Sequence, residues 1–280
     1  MDDWRNYVRS VVTRCKGKVK YYEGWNEPDI RGFYSGSKTK LIELQKEMYQ
    51  IVKEIDPAAQ VISPSCAAAG TAYFDELLQL GLDSWIDVVG YHFYAGGSGP
   101  EYTISRIEVV KKILEKHRCQ KPLFNTEMGW AIDSSYRTNV IAGVDAGRVL
   151  PIETAANYIA RSYLINWAMG IPVLNLYRWE GKLGLRENND ELKEPCVKAY
   201  RNVATWMIGA VMTSCVRNVE GTFILKLERD GRISTVMWNA ERNVDVSVPE
   251  SVGRITSILG HSIHPKMGLL TVGEAPIILE

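Results

Sequence analysis

The feature that most constrains the fold is a regular alternation of amphipathic helices and short apolar strands over the first two-thirds of the chain. Residues that recur with helical spacing alternate with short runs that are apolar on both faces. Such runs are typical of a parallel sheet covered by helices. The predicted helices cover residues 2–15, 38–55, 73–80, 104–117, 153–169 and 195–208. The predicted strands cover residues 18–25, 60–66, 86–94, 121–127 and 173–179, and a long polar loop is predicted after the fourth of them, up to about residue 150.

The pattern changes near residue 210. Two alternating runs flank Asp230-Gly231, a dipeptide that strongly favours a hairpin turn. Short runs of the same kind then continue to the end of the chain, which predicts an antiparallel β-sandwich over residues 211–280. Residues 1–210 are predicted to form an α/β domain with about five parallel strands. Periodicity alone fits both a doubly wound sheet and a partial (β/α) TIM-type barrel.

Charge and hydropathy exclude several classes of partner. Lys and Arg together number 33, as do Asp and Glu, so no net field attracts nucleic acid or an anionic membrane surface. No run of 18 uncharged apolar residues occurs, so no membrane-spanning helix is expected. The first residues lack the apolar segment of a signal peptide. The sequence as written therefore indicates a cytoplasmic protein, and a secreted one if further residues precede it.

The cysteines and histidines show no metal-binding or disulfide pattern. No two of the five cysteines are close in sequence, and none forms a Cys-x-x-Cys pair. We interpret all five as small buried apolar residues. His261 and His264 lie in the predicted β domain without a carboxylate or cysteine pattern, so neither a metal site nor a cofactor is predicted. The cysteines are Cys15, Cys66, Cys119, Cys196 and Cys215.

Two glutamates follow predicted strands closely enough to lie at one mouth of a barrel. Glu27 comes directly after the strand over 18–25, and Glu127 ends the strand over 121–127. Active sites of (β/α) barrels form at the carboxyl ends of the strands. Two carboxylates about 5–5.5 Å apart are the arrangement of a retaining glycosidase. Position alone also fits two solvated loop acids.

The residues around both glutamates resemble the signature segments of the retaining glycoside hydrolases of clan A. Trp25-Asn26-Glu27-Pro28 matches the Asn-Glu-Pro motif that closes the fourth barrel strand of that clan. Thr126-Glu127 matches the shorter motif that closes the seventh strand. His92 and Tyr94 match the His-x-Tyr of the sixth strand, and Trp179 matches an aromatic platform after the last strand. The trailing β domain is similar to the sandwich of family 39.

The resemblance implies a role for each matching residue. Protonated Glu27 would be the acid/base, and ionised Glu127 would be the nucleophile that attacks the anomeric carbon. Tyr94 would hydrogen-bond to Glu127, and Asn26 would bond the sugar 2-hydroxyl. Further substrate contacts are expected at His92, Trp130 and Trp179. The implied activity is double-displacement hydrolysis of a β-linked glycoside or polysaccharide.

The resemblance has no counterpart for the first three βα units of the barrel. Three alternatives remain open: a fragment of a longer chain, a homodimer or higher oligomer that covers the open side, and an inactive or weakly active remnant that only binds carbohydrate. Glu23 is expected to be a buried acid paired with a base. The apolar residues predicted to line the open interior are Tyr21, Trp25, Ile62, Val89, Tyr91, Leu123 and Leu174.

Overall fold

The computed structural model describes residues 1–133 and 149–280, with the side chain of Asp133 left out. These residues form two compact units. The first comprises Met1–Ala95, Thr103–Met128 and Ile171–Asn175, and the second comprises Gly96–Tyr102, Gly129–Gly170 and Leu176–Glu280.

The helices lie where the apolar periodicity predicts them, to within a few residues. Ser37 begins one of them by accepting a hydrogen bond from the backbone N–H of Lys40 at 3.1 Å, which satisfies a donor of the first turn. Gly81, with φ of +84°, follows another in the left-handed conformation that favours glycine. The helices are α1 (Asp2–Cys15), α2 (Lys38–Ile55), α3 (Thr71–Gln79), α4 (Tyr102–Lys116), α5 (Ile152–Ala168) and α6 (Glu194–Met207).

Five short parallel strands carry the first unit, so the predicted α/β class is confirmed. One pair is β1–β2, and a second group has the order β3–β4–β7. A parallel bridge from Ile62 to Val88 connects β2 to the beginning of β3, and Cys66 bridges to Tyr91. The regular strands are shorter than the sequence predicts. They are β1 (Tyr21–Glu23), β2 (Gln60–Ile62), β3 (Val89–His92), β4 (Leu123–Met128) and β7 (Leu174–Leu176).

The packing on the two faces of these strands contradicts part of the prediction of which residues line an open interior. Ile62, Val88 and Phe124 form one buried cluster, against which Tyr21 and Val173 pack. Tyr91, by contrast, is fully buried and makes an edge-to-face contact with Phe74 of α3, at 5.8 Å between ring centroids.

The prediction that Val89, Tyr91 and Leu123 face an open interior is therefore wrong. All three are buried. Ile62 does belong to the interior cluster, as predicted, but it is buried there and not exposed to solvent. The physical reason is that β3 is covered on both faces along its whole length, so none of its residues faces solvent.

The antiparallel region of the second unit begins at Val211. The hairpin at Asp230-Gly231 is confirmed: β9 and β10 pair in register from Thr222↔Asn239 to Arg229↔Arg232. Five strands form one sheet in the order β12–β14–β10–β9–β8, and β11 pairs with β13. The strand β8 was not predicted from the sequence. The strands are β8 (Val211–Arg217), β9 (Thr222–Arg229), β10 (Arg232–Asn239), β11 (Val244–Ser247), β12 (Ile255–Ser257), β13 (Leu269–Val272) and β14 (Ile277–Leu279).

A short parallel pair also lies in the second unit, where the sequence predicts a long polar loop. It consists of β5 (Ile132–Asp133) and β6 (Leu150–Pro151). The rest of that predicted loop lies outside the described residues. None of the helices over 1–133 and 149–280 combines the length and apolar character that a membrane crossing requires.

The cysteines only partly follow the prediction that they are buried. All five are free thiols. Cys66, Cys119 and Cys196 are buried, Cys15 is half-buried and Cys215 is exposed on β8.

Candidate active site

Glu27 lies in a turn that the backbone fixes tightly. Its N–H donates to the carbonyl of Ser65 at 2.9 Å, and Asn26 forms a parallel bridge with the same serine. The φ of Glu27 is +42°, in the left-handed region that residues with a Cβ adopt at a cost. The residue is only 9% exposed. The local structure therefore holds this carboxylate in one place and one direction.

Glu127 reaches the same place from strand β4, which pairs with β3. It pairs in register with His92, after a register shift between Tyr91 and His92. Irregularities of this kind redirect side chains and are frequent beside active sites. The side chain of Glu127 is 23% exposed, so this carboxylate is the more accessible of the two.

His92 lies between the two carboxylates. Its Nδ1 is 2.9 Å from Glu27 Oε1 and 4.0 Å from Glu127 Oε2. The imidazole is 2% exposed and thus has a fixed orientation. The three ligand-type atoms of Glu27, His92 and Glu127 all lie within 4.8 Å of one another. The structure therefore brings both predicted glutamates and the predicted histidine together.

Tyr94 holds the second carboxylate from the other side. Its hydroxyl donates a hydrogen bond of 2.5 Å to Glu127 Oε1. A phenol that donates to a carboxylate makes a charge-assisted bond, which is stronger than a neutral one. Oε1 is therefore engaged, and Oε2 is the oxygen that points toward His92.

A polar cluster that the sequence did not predict lies on the same strands. Glu23 Oε1 accepts hydrogen bonds from the hydroxyl of Ser65 and, at 2.7 Å, from the hydroxyl of Thr126. Ser65 and Thr126 are also 3.0 Å apart, and both are buried. The prediction of a buried Glu23 paired with a base is wrong, because Glu23 is exposed and its partners are hydroxyls.

Gly90 makes room for this cluster. A Cβ at that position would lie 2.7 Å from Ile62 Cγ2, closer than such contacts occur in proteins, and 3.0 Å from Glu23 Oε1. The strand β3 thus approaches β1 and β2 closely only because it carries a glycine at this point.

Asp29 supports the turn that carries Glu27. Its Oδ1 accepts the N–H of Ala67 at 2.9 Å. Burial raises the pKa of the Asp29 carboxyl, while the hydrogen bond from Ala67 opposes that rise. A Cβ on Gly70 would lie 2.5 Å from this carboxylate. The sequence shows Asp29 directly after the Asn-Glu-Pro motif, but no spacing rule reveals its partner.

The remaining predicted substrate contacts have different environments. Asn26 is exposed beside Glu27. Trp179 belongs to the second unit, is 58% exposed and lies 6.0 Å from the guanidinium of Arg186. Trp130, in the same unit, is 3% exposed, donates to Ser98 O at 3.3 Å and packs edge-to-face on Tyr158. Sugar stacking at Trp130 stays a prediction, and this packing does not favour it.

Comparison with known proteins places the fold. No protein-family model matches the chain, and no curated protein sequence matches it either. Among solved structures, the chain is similar to a GH39 β-xylosidase from Caulobacter crescentus, with a TM-score of 0.66 and 16% identity over 99% of this chain and 71% of that one. It is similar to a thermostable GH51 α-L-arabinofuranosidase from Thermotoga petrophila, with a TM-score of 0.68 and 16% identity over 99% and 73%.

A third similar structure is a glucosidase from Croceicoccus marinus, with a TM-score of 0.67 and 13% identity over 99% of this chain and 73% of that one. These neighbours are TIM-barrel glycosidases, and the GH39 and GH51 proteins belong to clan A. At such low identity, the likeness shows the fold. The described chain thus shares its fold with about seven-tenths of each of these proteins.

Proposed function

We propose that this chain is a retaining glycoside hydrolase that acts on a β-linked glycoside or polysaccharide by double displacement. The observation that carries the proposal is the cluster of Glu27, His92 and Glu127, whose ligand-type atoms lie within 4.8 Å of one another. Carboxyl groups about 5–5.5 Å apart suit a retaining mechanism, because no water fits between the nucleophile and the anomeric carbon.

In the first step, Glu127 Oε2 attacks the anomeric carbon while the bond from that carbon to the leaving oxygen breaks. Protonated Glu27 gives its proton to the leaving oxygen, and a glycosyl ester on Glu127 remains. Tyr94 holds Oε1 of Glu127 at 2.5 Å, which leaves Oε2 for the attack.

In the second step, Glu27 is a carboxylate and takes a proton from water. The water oxygen attacks the anomeric carbon, and the ester bond to Glu127 breaks. His92 Nδ1, at 2.9 Å from Glu27 Oε1, fixes that oxygen and leaves Oε2 of Glu27 to exchange the proton with the leaving group and then with water.

We further propose that β1 to β4 and β7 correspond to the last five strands of an eight-stranded barrel. The neighbours extend beyond the matched region by more than a quarter of their length. In a complete barrel of this kind, the other three strands would supply part of the sugar subsite.

The experiment is a panel of aryl glycosides that includes β-D-xylosides, β-D-glucosides and α-L-arabinofuranosides. Replacement of Glu127 by Ala should abolish turnover of a β-glycoside, and azide should restore it and give the α-glycosyl azide, since azide then attacks the face that Glu127 occupied. Replacement of Glu27 by Ala with azide should give the β-glycosyl azide. Glu108→Ala, an exposed glutamate of α4, is the control and should leave turnover unchanged.

A second candidate function is carbohydrate binding without hydrolysis. The parallel strands favour it, because among the described residues no strand pairs with the outer edges of β1 and β7, so these strands do not enclose a substrate as a closed barrel does. Measurable sugar affinity with no turnover of any glycoside in the panel would establish the binder and contradict the hydrolase.

A further inference from the structure

We propose that the cluster of Glu27, His92 and Glu127 is also a binding site for a transition-metal dication such as Zn²⁺, and that the metal inhibits the protein by occupying both carboxylates. The inhibition rests on the proposed hydrolase, whereas the metal site does not. The three ligands come from the turn after β1 and from the strands β3 and β4, so no sequence spacing of the usual metal motifs predicts them.

The distances between the three donor atoms fit a four-coordinate ion. Metal–ligand distances of about 2.0–2.2 Å with tetrahedral angles place neighbouring ligand atoms roughly 3.4 Å apart. His92 Nδ1 lies 2.9 Å from Glu27 Oε1 and 4.0 Å from Glu127 Oε2, which bracket that separation. The two carboxylate oxygens lie within 4.8 Å of each other, so shifts of roughly 1 Å in the glutamate side chains would bring all three atoms to bonding distance.

The surroundings prepare each ligand for the metal. The imidazole is buried, so it presents Nδ1 to the two carboxylates without loss of side-chain freedom on binding. Tyr94 engages Oε1 of Glu127 and so leaves Oε2 for the ion. Hydrogen bonds that orient a ligand in this way are typical of metal centres. Glu127 is partly exposed, which gives the ion a path from solvent and leaves a fourth position for water.

The donor set selects the metal. One imidazole nitrogen and two carboxylate oxygens suit Zn²⁺, Co²⁺, Ni²⁺ or Cu²⁺, whereas Mg²⁺ and Ca²⁺ prefer oxygen ligands alone. Binding replaces the hydrogen bond between His92 and Glu27 with two metal–ligand bonds. Both glutamates are then unable to exchange protons or attack a sugar.

The test is direct titration of the metal-free protein with Zn²⁺ against a chromophoric chelator, together with the visible spectrum of Co²⁺. We expect one ion per chain and the d–d absorption of four-coordinate Co²⁺. His92→Gln and Glu127→Gln should each weaken Zn²⁺ binding by at least about tenfold, the lower end of what loss of even a supporting group costs a metal site. Mg²⁺ should not compete.

His117→Gln is the matched control, because His117, like His92, pairs with a carboxylate, that of Asp75 at 2.7 Å, but is only partly buried. Cys215→Ser removes the exposed thiol. Both should retain wild-type affinity. If His92→Gln fails to fold, the Zn²⁺ affinity of Glu127→Gln is the deciding measurement, since the Glu127 side chain lies at the accessible side of the site.

Unchanged Zn²⁺ affinity in folded His92→Gln or Glu127→Gln would overturn the metal site. The binding measurement needs no turnover, so an inactive protein that binds Zn²⁺ through these residues contradicts only the proposed hydrolase. An active protein that does not bind Zn²⁺ contradicts only the metal site. In an active protein, Zn²⁺ should inhibit competitively with the glycoside.

Discussion

The hydroxyl of Tyr94 donates a 2.5 Å hydrogen bond to Oε1 of Glu127 and so determines which oxygen of that carboxylate is available. Glu127 lies on β4, and Tyr94 follows β3, the parallel strand that pairs with β4. The two residues are 33 positions apart in the chain. A hydrogen bond to a charged group contributes about 1.5–3 kcal/mol. Most of that stabilisation keeps the carboxylate of Glu127 in the reactive orientation.

We therefore expect Tyr94→Phe to lower kcat by about 10- to 100-fold, which is the rate equivalent of that hydrogen bond, with KM nearly unchanged. Steady-state kinetics on an aryl glycoside that the wild type hydrolyses measures both constants. Tyr91→Phe is the matched control, because the Tyr91 hydroxyl is buried and has no hydrogen-bond partner among the described residues. Equal kcat values for Tyr94→Phe and the wild type would show that the bond does not position the nucleophile.

Much of this site could be predicted because chain order and strand direction are simple in a parallel sheet. Glu27 follows β1 and Glu127 lies at the end of β4, and the carboxyl ends of parallel strands meet at one edge. That argument brings both glutamates to one edge, whereas His92 and Tyr94 were predicted from their resemblance to the His-x-Tyr motif of clan A. No such rule reaches Ser65, because only the fold shows that its hydroxyl meets Glu23 and Thr126.

Which side of each strand faces the interior was harder to predict, and the reason is physical. Strands buried on both faces show no alternation, so the sequence of β3 does not say which side faces inward. The register shift beside His92 adds a further step that no alternation rule anticipates. The strand β8 was not predicted because nearly all of its residues are exposed. Its sequence therefore lacks the alternation of buried and exposed residues that indicates a strand.

The Asp230-Gly231 turn makes a stability prediction. Both residues have positive φ, +51° and +73°, as a type I′ turn requires. A Cβ on Gly231 would meet no atom within 4 Å, so the cost of Gly231→Ala is conformational. We expect it to destabilise the protein by about 1–2 kcal/mol, the cost of the left-handed conformation for a residue with a Cβ.

Urea denaturation followed by intrinsic tryptophan fluorescence, to which the buried Trp238 on β10 contributes, measures this change. Gly32→Ala is the control, because Gly32 has equally open surroundings without a positive φ. A destabilisation of the same size in both variants would show that the turn geometry is not the cause.

The free thiols make a reactivity prediction. Burial raises the pKa of Cys196 to about 12 and raises the pKa of Cys66 and Cys119 as well. A raised pKa means less thiolate at pH 8, and the thiolate is the reactive form. We therefore expect Ellman's reagent to modify only Cys15 and Cys215 in the native protein.

Cys215 should react more slowly than a thiol in an unfolded peptide, because partial burial of its sulfur also raises its pKa. All five thiols should react in denaturant. Mass spectrometry of the labelled peptides identifies the sites, and rapid modification of Cys66 or Cys196 in the folded chain would contradict the burial of these residues.

The last prediction concerns self-association. Among the described residues, no strand pairs with the outer edges of β1 and β7. Tyr21 and Leu174 are half-buried there, and unpaired parallel edges invite further strands. Because Val89, Tyr91 and Leu123 are covered, the open apolar area is smaller than the sequence predicts and lies along these two edges.

We expect a homodimer, or a higher oligomer, that covers the open edges. Burial of several hundred Å² at about 25 cal/mol per Å² contributes on the order of 10 kcal/mol. The free-energy cost of association is about 4–15 kcal/mol, so the gain exceeds only the lower part of that range. The affinity should therefore be in the micromolar range, and light scattering over a concentration series measures it. Tyr21→Lys places a charge on the edge and should shift the equilibrium to monomer. Tyr7→Lys, at an exposed position of α1, is the control. A wild-type mass of 31.5 kDa at every micromolar concentration would contradict the association.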